Sequence, residues 1–319
     1  MKVVVVVPTT REDCIRAFLD AWHLQFADAH LIVVEDNPAK TFEISDYAEV
    51  THYCWKDIEN DLGKDAWIIP RMTDCIRSYG YYKAYQERPD MVVTLDDDCY
   101  PVEPNEGGFL EKHWQRLNEM GTTEAWRETG NGMATRGLPY FNLSRSLPCM
   151  INHGMWNHIP DYDAPTQLLQ TRHHRRFGFS DQTIPVGMYF PMCGMNIAFK
   201  PEATPGLYCL LMGGDYQFDR FGDIWAGILV KRICDYLGYC VHSGQPAINH
   251  HRASDLWANL RKEAATLETN EYFWQAVDRV LLTGTTFQDC YEELAEKLEL
   301  DGEYWEKLRK AMVIWANLF

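Results

Sequence analysis

Five consecutive valines at residues 3–7, closed by Pro8-Thr9-Thr10, constrain this chain more than any other feature. A β-branched run that does not alternate with polar residues reads as a strand buried on both faces, the kind found in parallel sheets covered by helices. The next segments keep to that pattern. Residues 12–26 carry helical spacing in Ile15, Phe18, Leu19 and Trp22, and 31–34 are a second apolar run ending at Glu35-Asp36-Asn37-Pro38. Residues 51–55 read as a short third strand, 74–86 as a helix and 91–95 as another strand. Strand alternating with helix predicts an α/β fold with a doubly wound sheet, in which ligands bind beyond the carboxyl ends of the strands. Pro8 and Thr9, Glu35 and Asp36, and Asp96, Asp97 and Asp98 all fall on that edge, which makes them the candidate nucleotide contacts.

Asp96-Asp97-Asp98 directly follow the apolar run 91–95. Hard divalent cations prefer oxygen ligands and keep places open for phosphate, so acids at a strand end suit a metal–diphosphate site. The triplet alone reads equally well as a solvated turn; its position in an α/β pattern favours a nucleotide-sugar enzyme. Asp96 would then lie near the ribose and Asp98 would bind the metal. A second ligand is expected from far along the chain, and His250 in Asn249-His250-His251-Arg252 is the candidate, against the reading of a surface histidine pair. There is no GxGxxG after the first strand and no GxxxxGK[ST], which disfavours a dinucleotide fold and a P-loop.

A net charge of −16 over 319 residues excludes nucleic acid as a partner. It leaves room for a nucleotide met by a metal and a few local arginines. The 10 cysteines form no CxxC pair and read as reduced thiols of a cytoplasmic protein. No secretory signal is expected, and no run of 18 uncharged apolar residues suggests integral membrane contact.

Residues 103–187 are poor in periodicity, which predicts long ordered loops over the site. Within them, 153–156 and 159–166 combine Trp, Tyr and Asp, including Asp163, as sugar rings require: a face for stacking and acceptors for hydroxyls. The plainer reading is a loop held by Asx turns. Arg136 and Arg145 flank Gly137-Leu138-Pro139-Tyr140-Phe141 and are suited to phosphate. The basic run at 172–176 reads better as a solvated loop than as a diphosphate site. Asp223 opens a helix at 223–237, either as a cap or facing substrate as a base. The expected organisation is a catalytic domain at 1–257 and a helical C-terminal extension at 258–319 packed on it, rather than on another subunit.

Several long segments, taken together and in order, resemble the reversibly glycosylated polypeptides, the family that includes the plant UDP-arabinopyranose mutases. They are Asp96-Asp97-Asp98-Cys99, Arg136-Gly137 with Pro139, and His153-Gly154-Met155-Trp156 running into Ile159-Pro160-Asp161-Tyr162-Asp163-Ala164-Pro165-Thr166-Gln167-Leu168. Phe190-Pro191-Met192-Cys193-Gly194-Met195-Asn196, Asp223-Ile224-Trp225-Ala226-Gly227, and His250 with Ala253-Ser254 complete the set.

The resemblance implies a glycosyltransferase-A-like fold, a doubly wound mixed sheet with Mn²⁺ or Mg²⁺ at Asp96, Asp98 and His250. It implies interconversion of the pyranose and furanose forms of a UDP-sugar such as UDP-arabinose, with reversible autoglycosylation on Arg136 and a second required arginine at Arg145. A guanidinium is a poor nucleophile while protonated, so Asp223 or Asp163 would position or deprotonate it. Two alternatives stand beside this. One is a self-glycosylating arginine glycosyltransferase using a UDP-sugar; the other is a non-catalytic scaffold subunit, against which the intact triplet, Arg136 and His250 argue. The implied partner is a UDP-sugar; the sequence leaves a homo-oligomer open without specifying one.

Overall fold

The computed structural model describes residues 1–44, 46–47, 49–103, 108–129, 136–169, 181–251 and 254–319. The basic run at 172–176, together with Arg252 and Ala253, lies outside the described residues. Strand β1 (Val3–Thr9) explains the valine run directly. Val4 and Val6 join the core on one face of the sheet, Val3, Val5 and Val7 the core on the other, and all five are buried. Helix α1 (Glu12–Trp22) covers one side with Ile15, Phe18, Leu19 and Trp22. Strands β2 (Ala29–Glu35) and β3 (Val50–Tyr53) extend the sheet in parallel. β3 stops before Trp55, because Trp55 opens α2 (Trp55–Leu62), whose Asp57 carboxylate accepts from the Cys54 N–H at 2.8 Å. A 3₁₀ turn at Asp74–Ile76 leads into α3 (Arg77–Gln86), and β4 (Met91–Leu95) pairs in parallel with β1.

The loops expected over 103–187 give way to regular elements. After β5 (Cys99–Pro101) come α4 (Phe109–Asn118), β6 (Met120–Glu124), β7 (Ser144–His158), α5 (Ala164–Leu169) and β8 (Gln182–Thr183). β7 is a 15-residue strand inside the sheet, so His153, Gly154, Met155 and Trp156 belong to a strand and not to a loop. Its polar sequence is tolerated because its buried side chains satisfy one another. Asn152 donates to His113 at 2.8 Å and accepts from His242 at 2.8 Å, and His113 donates to Asn196 at 3.0 Å. Burial pushes His113 down to about 3, so the imidazole is neutral in this network.

In the apolar segment 188–199, only β9 (Asn196–Phe199) is strand. Helix α6 (Gly222–Leu237) and β10 (Cys240–His250) follow. Among the described residues the sheet order is β3-β2-β1-β4-β9-β7-β10-β5, with β6 on β7 and β8 on β10. β9 runs antiparallel to both β4 and β7, so β7 is parallel to β4 and His153 lies level with Thr94. Helices α7 (Leu256–Arg279), α8 (Phe287–Lys297) and α9 (Glu303–Ala316) complete the chain and share the larger core. Trp225 of α6 stacks on Phe273 at 4.5 Å and on Trp305 at 5.6 Å. All ten thiols are free, and no helix among the described residues is long and apolar enough to cross a membrane. A mixed sheet with a helical C-terminal region is a glycosyltransferase-A-like arrangement.

Candidate active site

Where β1 and β4 end, a cavity of about 380 Å³ opens. β4 passes directly into Asp96, Asp97 and Asp98, which turn to Arg77, to Thr9 with Arg11, and to His250 with Arg11. Asp96 is held by Arg77, whose guanidinium also donates to Thr94 Oγ1 at 3.1 Å and to the Gly194 carbonyl at 2.6 Å. Burial works against the charge on Arg77, but Asp96 and its other neighbours outweigh it and keep the group protonated. Asp97 is buried; it accepts from Thr9 Oγ1 at 2.6 Å and pairs with Arg11. Burial pushes its carboxyl up, against the pull of Arg11 and Thr9. Asp98 faces His250, with Oδ1 3.7 Å from Nε2.

His250 reaches this place because β10 brings it opposite Cys99 of β5 and level with His158 of β7. Its Nδ1–H donates to the Ile159 carbonyl at 2.8 Å, which leaves Nε2 turned toward Asp98. A backbone carbonyl fixing one ring nitrogen while the other faces a carboxylate is the usual arrangement of a metal-binding histidine. Asp98 and His250 therefore fit two places around a hard divalent cation. Among the described residues no third His, Cys, Asp or Glu closes the set. Diphosphate oxygens and waters would fill the rest, as is common for Mg²⁺ and Mn²⁺.

Pro8, Thr9 and Asp36 also line this cavity. Asp36 accepts from Trp55 Nε1 at 2.6 Å and from the Thr73 N–H at 2.7 Å, and burial pushes its carboxyl up. Glu35 does not line it. Its carboxylate is fully buried and used by Asn37, Thr41 and His52, which tie down the turn after β2.

A narrow space of about 120 Å³ lies beside the first cavity, lined by Asp223, Asp163 and Tyr162 and sharing Arg77, Asp96 and Asp161 with it. Beyond it is a cavity of about 890 Å³ walled by Trp156, Tyr189, Phe190 and Trp274; Asp161 lines all three spaces. Asp223 sits in the first turn of α6 and accepts from the Gly194 N–H at 2.6 Å. Burial, reinforced by repulsion from Asp74, pushes its carboxyl up to about 7. Asp163 instead caps α5, accepting from Thr166 N at 2.9 Å and Thr166 Oγ1 at 2.8 Å.

Arg136 and Arg145 stand elsewhere. Both are exposed, Arg136 in a turn and Arg145 near the start of β7, opposite Thr123 of β6. The register places Gly154 at the level where β4 ends, so Arg145 lies roughly 30 Å back along the strand direction from the carboxylate edge. They are on the opposite edge of the sheet from Asp98.

Sequence reasoning missed Arg11, Arg77, Asp74, Asp161 and Arg220. Arg11 and Arg77 sit singly at helix starts, and only the tertiary fold aims them at the acids. Asp161 was visible in the polar loop without anything to separate it from Asp163.

A family model described as "Reversibly glycosylated polypeptide" matches residues 1–319. The chain is 37% identical to the probable UDP-arabinopyranose mutase 1 of Pisum sativum, over 98% of this chain and 89% of that one. It is 36% identical to UDP-arabinopyranose mutase 1 of Arabidopsis thaliana, covering 98% and 90%. Against UDP-arabinopyranose mutase 1 of Oryza sativa subsp. japonica the identity is 34%, covering 98% and 89%. This chain belongs to the reversibly glycosylated polypeptide family.

Proposed function

We propose that this protein is a UDP-sugar mutase that interconverts the pyranose and furanose forms of an arabinose-like UDP-sugar in the cytoplasm. The observation that carries the reading is the carboxylate edge facing His250, in a chain similar along nearly its whole length to proteins named UDP-arabinopyranose mutases. Ten free thiols favour a reducing compartment.

Ring contraction requires the anomeric C–O bond to UDP to break, leaving an oxocarbenium-like carbon, and UDP must stay bound to be rejoined. The edge at Pro8, Thr9 and Asp36 would hold the nucleoside. Among the described residues, seven aspartates line the diphosphate cavity against four arginine and lysine side chains. Each of those, Arg11, Arg77, Arg220 and Lys262, is already paired with an acid. Such a cavity needs added positive charge before it accepts a diphosphate. Mn²⁺ or Mg²⁺ held by Asp98 and His250, with Asp96 beside it, would supply that charge to the departing diphosphate. The sugar would extend past Asp161 toward the aromatic cavity, where Trp156 and Phe190 offer stacking faces. Asp223, poised near neutrality, is suited to take and return a proton as the ring opens and closes.

Arg136 is the residue we propose to be glycosylated, in keeping with the family description and its exposure in a turn. The test of the mutase reading is chromatography of UDP-arabinopyranose incubated with the protein and Mn²⁺. Appearance of UDP-arabinofuranose supports it. No conversion of any of several UDP- and GDP-sugars would overturn it.

A further inference from the structure

The arginines and the acid cavity lie at opposite ends of one sheet, and neither arginine lines any of the three cavities. β6 and β7 form a hairpin whose last described backbone bond joins the Ala125 N–H to the Leu143 carbonyl at 2.9 Å. From Leu143 to Gly154, level with the end of β4, the chain runs about 36 Å. Arg136 is seven residues from Leu143 and, fully extended back toward the cavity, recovers at most about 25 Å. About 11 Å remains, more than one arginine side chain spans.

The hairpin has two further properties. Its outer part carries Tyr140 and Phe141, 95% and 82% exposed, and Trp126, next to Ala125 in the chain, is half exposed. Aromatic side chains so fully bared mark an interaction surface. Its sign also suits the cavity: Arg136 and Arg145 are exposed cations, whereas the cavity has more aspartates than cations and every described cation there is paired.

We propose that the β6–β7 hairpin of one copy seats at the carboxylate-edged cavity of a second copy, so that Arg136 is glycosylated in trans. The inference rests on the reading of Arg136 as the glycosylated residue. In the step, the bond from the anomeric carbon to the β-phosphate oxygen breaks and its electron pair leaves on UDP. A bond forms from that carbon to an Arg136 guanidino nitrogen, and the nitrogen's proton passes to a cavity carboxylate of the second copy. The occupant is another molecule of this chain because, among the described residues, the acid-rich cavity and the exposed arginines are complementary in charge and belong to one sequence. A C₂ pair of such contacts would satisfy both copies.

The test co-expresses two differently tagged chains, Asp98→Asn with its hairpin intact and Arg136→Ala with its cavity intact, and supplies radiolabelled UDP-arabinose with Mn²⁺. Trans transfer predicts label on the Asp98→Asn chain at a quarter or more of the wild-type level, although that chain alone takes none. An Asp98→Asn chain, or Asp96→Asn as a second such variant, that co-purifies with wild type and stays unlabelled while wild type labels would overturn the proposal. So would self-labelling by an isolated monomer fraction of wild type, which needs no variant. Wild type that takes no label from any donor removes the glycosylation reading itself, and this inference with it.

Discussion

The two ends of the sheet are built on opposite principles. At the carboxyl end of β4, three adjacent acids are each fixed by partners from distant segments: Asp96 by Arg77, Asp97 by Thr9 and Arg11, Asp98 by His250 and Arg11. At the other edge, the β6–β7 hairpin leaves Tyr140, Phe141, Arg136 and Arg145 in solvent. Like charges crowded at the first edge repel, so their position is held only by the cations and hydroxyls around them. Such a place is pre-organised for charge that arrives with a ligand. At the exposed edge the strands pair, but among the described residues these side chains stay in solvent, where another molecule can meet them. Binding chemistry is thus separated from the arginine it is proposed to modify.

The comparison breaks most sharply at Asp98. Asp98→Asn and His250→Ala should each lower UDP-sugar conversion by about 10³-fold or more, the scale of losing a principal charge-stabilising group. Steady-state kinetics with Mn²⁺ titration checks this, and both variants should keep the wild-type circular dichroism. Arg77→Met should damage the fold itself. It strips the buried partner from Asp96 and leaves the Gly194 carbonyl unbonded, a loss of about 3–5 kcal/mol read by urea unfolding.

Asp223→Asn sharpens the account of proton transfer. With the folded carboxyl at about 7, kcat/KM should rise with pH through that value, and the variant should lose about 10²-fold together with that limb. Stability carries the opposite sign. An unfolded aspartate ionises near pH 4 while the folded one keeps its proton to about 7, so the folded state binds more protons in between. The Asp223 contribution to stability should therefore fall as pH rises from about 4 to 7 and level off above, and Asp223→Asn should remove that share of the slope. The smallest effect on folding is expected at the hairpin. Tyr140→Ser with Phe141→Ser should change unfolding free energy by less than about 0.5 kcal/mol while reducing self-association in sedimentation.

Much of the first hundred residues was legible in the sequence. The valine run, the second strand and Asp96-Asp97-Asp98 announced a buried parallel sheet with acids at its edge because apolar runs and their polar ends are local properties. β7 was not legible. Its His113–Asn152–Asn196–His242 network replaces apolar contacts with mutual hydrogen bonds, so a central strand reads like a loop. Arg11 and Arg77 were hidden for a different reason: an isolated arginine at a helix start gains meaning only when the fold sets it beside an acid. His250 could be picked out as a histidine following an apolar segment, whereas its Nδ1–H bond to Ile159 is purely tertiary. The distance of Arg136 from the acids could not be read at all, since it depends on which strand pairs with which.

The most direct test of the central claim is positional isotope exchange in UDP-arabinopyranose carrying ¹⁸O in the bond between the anomeric carbon and the β-phosphate. If UDP leaves at the carboxylate edge, stays bound and is rejoined, the label should scramble into the non-bridging β-phosphate positions at least as fast as furanose forms, and should not do so with Asp98→Asn. Furanose formation by wild type with the label retained in the bridge would contradict the account.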